Sequence, residues 1–374
     1  MALQILQQPG SISFAGDPII VKARTTLTDK TFLRIKVECT VDIILTSIYG
    51  TYTEEYSYMV GEDGIAILNI GKTIQSALEK YNRQEVDESG IKQELYKASF
   101  KLLYKEVYLD GVQEVVGATV QSEPYTAIIG SLTEFERLTA ESSDTAALIG
   151  TGRMLSRKPD GETVAKGETI YVPAVVDDAA SISCYAIQGE NTRHILTNTG
   201  ASLIPGSMAI DTSAFTVGEF KIQLGHGTGE SRKRIVPETP DMRHFIFLNG
   251  FGLLESITAV TRESLTYNID SETYVVAKNI TYKGNTAVLT YSDAPQATLK
   301  ISSGYVNREW ADWWMNEFVT TRRAWMKVDG RFLPVAIVPE EKNQLYDRSK
   351  PGLMAVNFNV RYSFTGGTMN SFVK

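Results

Sequence analysis

The chain is short of the residues that usually announce chemistry. Its three histidines, His194, His226 and His244, are scattered, and none belongs to a His-Glu-x-x-His pair, so nothing local favours a metal site. Two cysteines, Cys39 and Cys184, are too few for a disulfide framework and form no Cys-x-x-Cys motif. No Gly-x-Ser-x-Gly elbow and no calcium-loop pattern occur. Basic residues are outnumbered, 37 Lys and Arg against 44 Asp and Glu, for a net charge of −7. That balance argues against a nucleic-acid partner, which would need a basic face. No apolar run approaches the roughly 20 residues that span a bilayer, so no membrane partner is expected. The opening "MALQILQQPGSISF" has no basic n-region, long apolar core or cleavage pattern, and the expectation is work on the side of the membrane where the chain is made. These absences point to a protein that is not an enzyme and needs no cofactor.

What is abundant is strand pattern. "FLRIKVECTVDI", Phe32 to Ile43, places Leu33, Ile35, Val37, Cys39, Val41 and Ile43 on one face and charged or polar residues on the other. Cys39 therefore reads as a small buried hydrophobe. Tight-turn dipeptides recur between such runs, at Asp63-Gly64, Asp110-Gly111, Asn249-Gly250, Gly284-Asn285 and Asp329-Gly330. "GLMAVNFNVRYSF" is sharply periodic, with Met354, Val356, Phe358, Val360, Tyr362 and Phe364 on one face. Pro334 lacks a ladder donor, which predicts an edge or a bulge. One clear helix is expected in "IGKTIQSALEKYN", where Ile70, Ile74, Ala77, Leu78 and Tyr81 recur at helical spacing.

The resulting fold class is mainly β: two or three β-sandwich-like modules with a few short helices and an α+β C-terminal block. The expected blocks are a β-rich domain with one helix at 1–130, a connector at 131–160, a small sandwich at 161–236 and an α+β domain at 237–374. The loop "GHGTGESRKR" is read as polar and unpacked, with Arg232, Lys233 and Arg234 as a solvated tether.

Near-misses to known motifs have plain structural readings. "NIGKT", Asn69 to Thr73, resembles the tail of a phosphate loop, but the earlier glycine position is Ala66, so a strand-to-helix turn is expected. "GHGTG" is not followed by a helix, as a dinucleotide loop requires. Acidic pairs at Glu54-Glu55, Asp177-Asp178 and Glu340-Glu341 would suit glycoside chemistry only if they converged. Neighbours on a strand face opposite ways, so solvated surface is the simpler reading. Asn279-Ile280-Thr281 matches a glycosylation sequon, relevant only to a secreted eukaryotic chain.

All four tryptophans fall in "NREWADWWMNEFVTTRRAW", Asn307 to Trp325. On a helix capped by Ser303, Val306, Trp310, Trp313, Trp314 and Phe318 occupy an arc of roughly 140°. That is a core-facing seam, with Trp325 beyond it in the last hairpin. Glu317 intrudes on the arc and needs a partner such as Arg322 or Arg323, or marks a boundary with another chain. A stripe shared with a subunit interface is the second reading, and a ligand platform the third, since base-stacking surfaces carry basic residues alongside.

The pieces "FLNGFGLLESI", "MKVDGRFLPVAIVPEEKNQLYDRSKPGLMAVNFNVRYSF" and "GSISFAGDPIIVKA" resemble structural proteins of tailed phages and prophages of gut Bacteroidetes. The likeness covers about 150 residues in two regions, the C-terminal block that holds the first two stretches and the opening that holds the third, and is one of pattern. It implies a tail or baseplate component of the virion, made in the host cytoplasm, with no catalytic residues to carry over. The implied partners are further copies in a ring or tube and other virion proteins, joined by β-edges and buried interfaces. Contact residues expected on that reading are Phe14, Arg232, Lys233, Arg234, Trp310, Trp314, Glu317, Arg322 and Arg323. The alternative is a bacterial surface or carbohydrate-binding protein of several β-sandwiches, which predicts an export signal and exposed strand aromatics. A glycan-degrading enzyme comes third.

Overall fold

The structure is a computed structural model that describes residues 3–27, 29–44, 49–81, 86–87, 90–91, 97–139, 153–176, 183–197, 204–224, 229–260, 264–268, 271–275, 288–292, 296–340 and 354–363. Chain contacts divide it into two compact units. The first holds residues 1–87, 91–236 and 248–255, and the second holds 88–90, 237–247 and 256–374. The turn at Gly284-Asn285, the sequon at 279–281, Asp177-Asp178 and Phe364 lie outside the described residues.

The first unit opens with strands β1 (Leu3–Gln7), β2 (Ile12–Phe14), β3 (Ile20–Thr25), β4 (Thr31–Ile44), β5 (Tyr49–Met59) and β6 (Ile65–Asn69), then helix α1 (Gly71–Tyr81). Short strands β7 (Val86–Asp87) and β8 (Gly90–Ile91) lead to the long hairpin β9 (Lys97–Asp110) and β10 (Gln113–Gln121), then β11 (Tyr125–Ile128). One sheet runs β1-β3-β6, and another runs β2-β11-β9-β4-β5 with β10 added to β9. Ile35, Val37, Cys39 and Val41 point into the core, as the alternation of β4 requires. The expected helix is α1, whose Ile70, Ile74, Ala77 and Leu78 join that core. At "NIGKT", the Asn69 side chain accepts from the backbone N–H of Ile19 and of Gly71, each at 3.1 Å. A Cβ on Gly71 would sit 2.3 Å from the Asp17 carbonyl oxygen, so its glycine serves chain packing.

The stretch read as a connector contains α2 (Glu134–Thr139), started by a capping box. Thr133 Oγ1 accepts from the Glu136 N–H at 3.1 Å, and the Glu136 carboxylate accepts from the Thr133 N–H at 2.7 Å. The second module follows: β12 (Arg153–Met154), β13 (Glu162–Ala165), β14 (Thr169–Val176), β15 (Ser183–Gln188), β16 (Asn191–Thr197), β17 (Ile204–Asp211), β18 (Gly218–Leu224) and β19 (Gly229–Val236). Sheets β12-β14-β17 and β13-β19-β18-β15-β16 enclose Val164, Ile170, Val172, Cys184, Phe220, Ile222 and Ile235. This is a small β-sandwich. Of the expected loop "GHGTGESRKR", residues 225–228 lie outside the described residues, and Gly229 to Arg234 belong instead to strand β19, paired antiparallel with β18 and parallel with β13. Its residues alternate, so Lys233 and Ile235 turn inward while Arg232 and Arg234 face solvent.

The second unit is built on strands β20 (Met242–Leu248), β21 (Leu254–Val260), β22 (Ser264–Asn268), β23 (Ser271–Val275), β24 (Val288–Ser292), β25 (Gln296–Ser302), β26 (Ala324–Val328), β27 (Arg331–Pro339) and β28 (Asn357–Tyr362). Seven of them form one sheet in the order β21-β20-β26-β27-β28-β25-β22. Asp329 and Gly330 take φ of 49° and 80°, the left-handed pair that a two-residue hairpin needs. Pro334 is not on an edge strand, because β27 pairs on both sides. Its ladder with β28 starts only at Val335, opposite Tyr362, and the Pro334 carbonyl accepts from Ser363 N at 3.1 Å. The missing N–H therefore falls at the end of the ladder, where the loss is small.

The tryptophan seam packs on this sheet. Helix α3 (Arg308–Trp313) is capped by Asn307, whose side chain accepts from Trp310 N at 2.9 Å. Ser303, the expected cap, instead accepts from Val356 N at 3.0 Å and fixes the chain beside β28. After Trp313 the helix widens into a π turn over Trp314–Phe318, and Val319 N donates to the Trp314 carbonyl at 2.8 Å. The wider turn sets Trp314 edge-to-face against Phe318, 4.9 Å between ring centres. Phe245, Phe247 and Phe358 complete an edge-to-face cluster around Phe318.

Candidate functional site

The residues expected at contacts divide sharply in place. Phe14 is 1% exposed, in the core against Phe251 at 5.8 Å. Trp310 and Trp314, at 8% and 2% exposure, are turned inward. None of these three offers a ring to another chain without rearrangement, because each side chain is already enclosed. Trp325 is half-buried in β26. Glu317 is half-buried at the margin of the seam, and Arg322 and Arg323 are exposed after it. Arg232 and Arg234 are exposed on β19, and Lys233 is buried.

Lys233 belongs to a charged cluster that the sequence reading missed. Its ammonium pairs with Glu162, directly opposite in the parallel register of β13 and β19. Glu162 also accepts from Lys158 Nζ at 2.9 Å, and Lys158 reaches Glu255 at 3.5 Å. Ser156 Oγ donates to Glu255, and the Asn249 side-chain amide donates to Glu255 Oε2 at 3.2 Å. All of these lie within the first unit, where Leu155, Ser156 and Lys158 meet Asn249 and Glu255. The four charged side chains are almost wholly enclosed. Burial alone would raise the Glu162 carboxyl, but Lys158 and Lys233 outweigh it and hold it below its ordinary range. Burial pushes the Glu255 carboxyl up, against the pull of Lys158 and Ser156. Burial lowers the Lys233 ammonium, with Glu162 opposing. One available signal was position: Lys233 occupies an inward-facing place in an alternating strand, where a cation requires a buried partner.

Of the acidic pairs, only Glu54-Glu55 is fully among the described residues, and its two members do not converge. Glu54 accepts from Thr73 Oγ1 at 2.8 Å, while Glu55 faces the other way and meets Lys36 at 3.3 Å. Glu340 pairs with Lys300. His244 lies within β20, and its Nδ1 meets Thr258 Oγ1 at 3.0 Å. Among the described residues, no helix is long and apolar enough to cross a membrane.

A second feature is on the surface. Among the described residues, β5 and β10 each pair on one side only. The register of β4, β5, β9 and β10 brings one end of the sheet together, where Phe32, Met59, Val112 and Val116 are exposed. Phe32 sits in a bulge between Thr31 and Arg34 with φ of 51°, left-handed backbone that disfavours a bulky residue by about 1–3 kcal/mol. Phe32 is 65% exposed. Around the patch runs an ion network: Arg34 and Lys36 with Glu114, Lys36 with Glu55, and Lys105 with Glu38 at 2.6 Å.

No protein-family model matches the sequence, and no curated protein does either. Among solved structures, the chain is similar to a three-domain I-band fragment of titin, I67–I69, and to its Glu-to-Ala variant. Each is 10% identical, with a TM-score of 0.22, over 64% of this chain and 66% of that one. A likeness at that level carries no functional argument. The fold class rests on the sheets themselves, which make this a mainly β protein of sandwich type.

Proposed function

We propose that this protein is a structural component of a tailed-phage virion, in the tail or baseplate, assembling through strand edges and buried interfaces and not through chemistry. The supporting observation is the pair of one-sided strands β5 and β10 with Phe32, Met59, Val112 and Val116 exposed at their shared end. An edge with bare N–H and C=O groups templates a further strand, and exposed apolar anchors beside it add the burial that stable interfaces need. The likeness of the C-terminal block to phage structural proteins is what favours a virion over other assemblies.

Light scattering and negative-stain imaging at rising concentration test this. Rings or tubes are expected, and Val116→Lys on β10 is expected to abolish them while leaving circular dichroism unchanged. A chain that stays monomeric at every concentration and binds immobilised glycans would instead be the surface or carbohydrate-binding protein.

A further inference from the structure

The buried cluster sets its polar groups in a chemically specific order. The Glu255 carboxylate receives the Lys158 amine on Oε1 at 3.5 Å and the Asn249 amide nitrogen on Oε2 at 3.2 Å. The Asn249 carbonyl oxygen accepts from the Leu253 N–H at 3.0 Å, and the amide nitrogen is held by the Leu155 carbonyl at 2.8 Å. The Lys158 amine and the Asn249 carboxamide therefore share one carboxylate, with a donor on the oxygen that would become negative, among side chains almost wholly enclosed. Lys233 pairs with Glu162, and Lys158 lies between Glu162 and Glu255, so two cations meet two carboxylates in the cluster. Asn249 alone would suffice to order the turn at 249–253, and that role explains neither buried lysine.

We propose that Lys158 and Asn249 join in an intramolecular amide crosslink, with Glu255 as the proton carrier. Glu255 Oε1 takes a proton from the Lys158 ammonium, and the freed lone pair adds to Asn249 Cγ. The oxygen of the tetrahedral adduct rests against Leu253 N–H. Collapse breaks the Cγ–Nδ2 bond as protons pass through Glu255 to the departing nitrogen. The lysine nitrogen gives up two protons, the leaving nitrogen gains two, and it departs as ammonium. No oxidant, metal or cofactor enters the balance. Burial raises this carboxyl, which favours its taking up a proton, as a proton carrier must. The product ties the segment after β12 to the turn between β20 and β21, within one unit.

Mass spectrometry of the denatured full-length chain tests the proposal without depending on how any variant folds. The expected mass is lower than that of the sequence by one ammonia, and a digest should yield a branched peptide joining Lys158 to Asn249. Lys158→Met and Glu255→Gln chains should both show the full sequence mass. An unmodified mass for the natural sequence, after purification in the folded state, would overturn the proposal. So would ammonia loss confined to a linear peptide at Asn249-Gly250, which is a succinimide, or a branch at Lys233. Crosslinking that persists in Glu255→Gln would remove Glu255 from its assigned role.

Discussion

Replacing Phe318 with alanine is the sharpest test of the tryptophan seam. Phe318 is fully buried and lies 4.9 to 5.3 Å, centre to centre, from the rings of Trp314, Phe245, Phe247 and Phe358. Truncating a buried phenylalanine destabilises by about 3–5 kcal/mol, and each lost edge-to-face pair adds toward the upper end. The π turn that carries Phe318 is fixed by the cluster and cannot easily collapse onto the space. With a urea dependence of about 2 kcal/mol per molar, the midpoint should fall by about 2 M. The assay is unusually selective. All four tryptophans lie in the unit containing 256–374, so their fluorescence follows that unit alone. Phe318→Leu, which keeps most of the volume, should lose about 1–2 kcal/mol. Tyr305→Ala, at an exposed position in the same unit, should stay within about 0.5 kcal/mol. A Phe318→Ala shift equivalent to less than about 1 kcal/mol, or tryptophan emission already typical of water in the isolated native chain, would refute the core reading and favour an interface.

Removing the α3 cap by Asn307→Ala should lower the stability of the same unit by about 1 kcal/mol, read by the same fluorescence melt. Burial pushes the Cys39 and Cys184 thiols up to about 12, so native protein should resist iodoacetamide at pH 8 and react at both sites only once denatured. Burial opposes ionisation of Glu136, but the Arg157 guanidinium and the Thr133 donors prevail and hold its carboxyl below the ordinary value. Its contribution is therefore present above the ordinary carboxylate range and lost as pH falls through the lowered value. Arg157→Ala should lose about 1 kcal/mol at pH 7, after allowance for partial exposure. The gap from the natural chain should close in acid titration by circular dichroism, and a gap that stays constant with pH would assign the loss to the Arg157–Phe251 stacking at 4.0 Å instead.

Local pattern was enough to place β4, β28, the hairpin at Asp329-Gly330, helix α1 and the inward face of the tryptophans. Each of these depends on periodicity or on a turn's backbone requirement, which a few neighbouring residues specify. Long-range packing chose the rest. The cap of α3 moved from Ser303 to Asn307 because Ser303 is taken by Val356, more than fifty residues away. The widening at Trp314 follows from fitting Phe318 among three phenylalanines drawn from β20 and β28. "SRKR" looked like a tether because charge density was visible and partners were not. A buried lysine becomes tolerable only when Glu162 stands opposite it on another strand, and that pairing spans 71 residues. The meeting of Lys158, Asn249 and Glu255 was equally invisible: each is an ordinary polar residue in sequence, and only the fold removes the water between them.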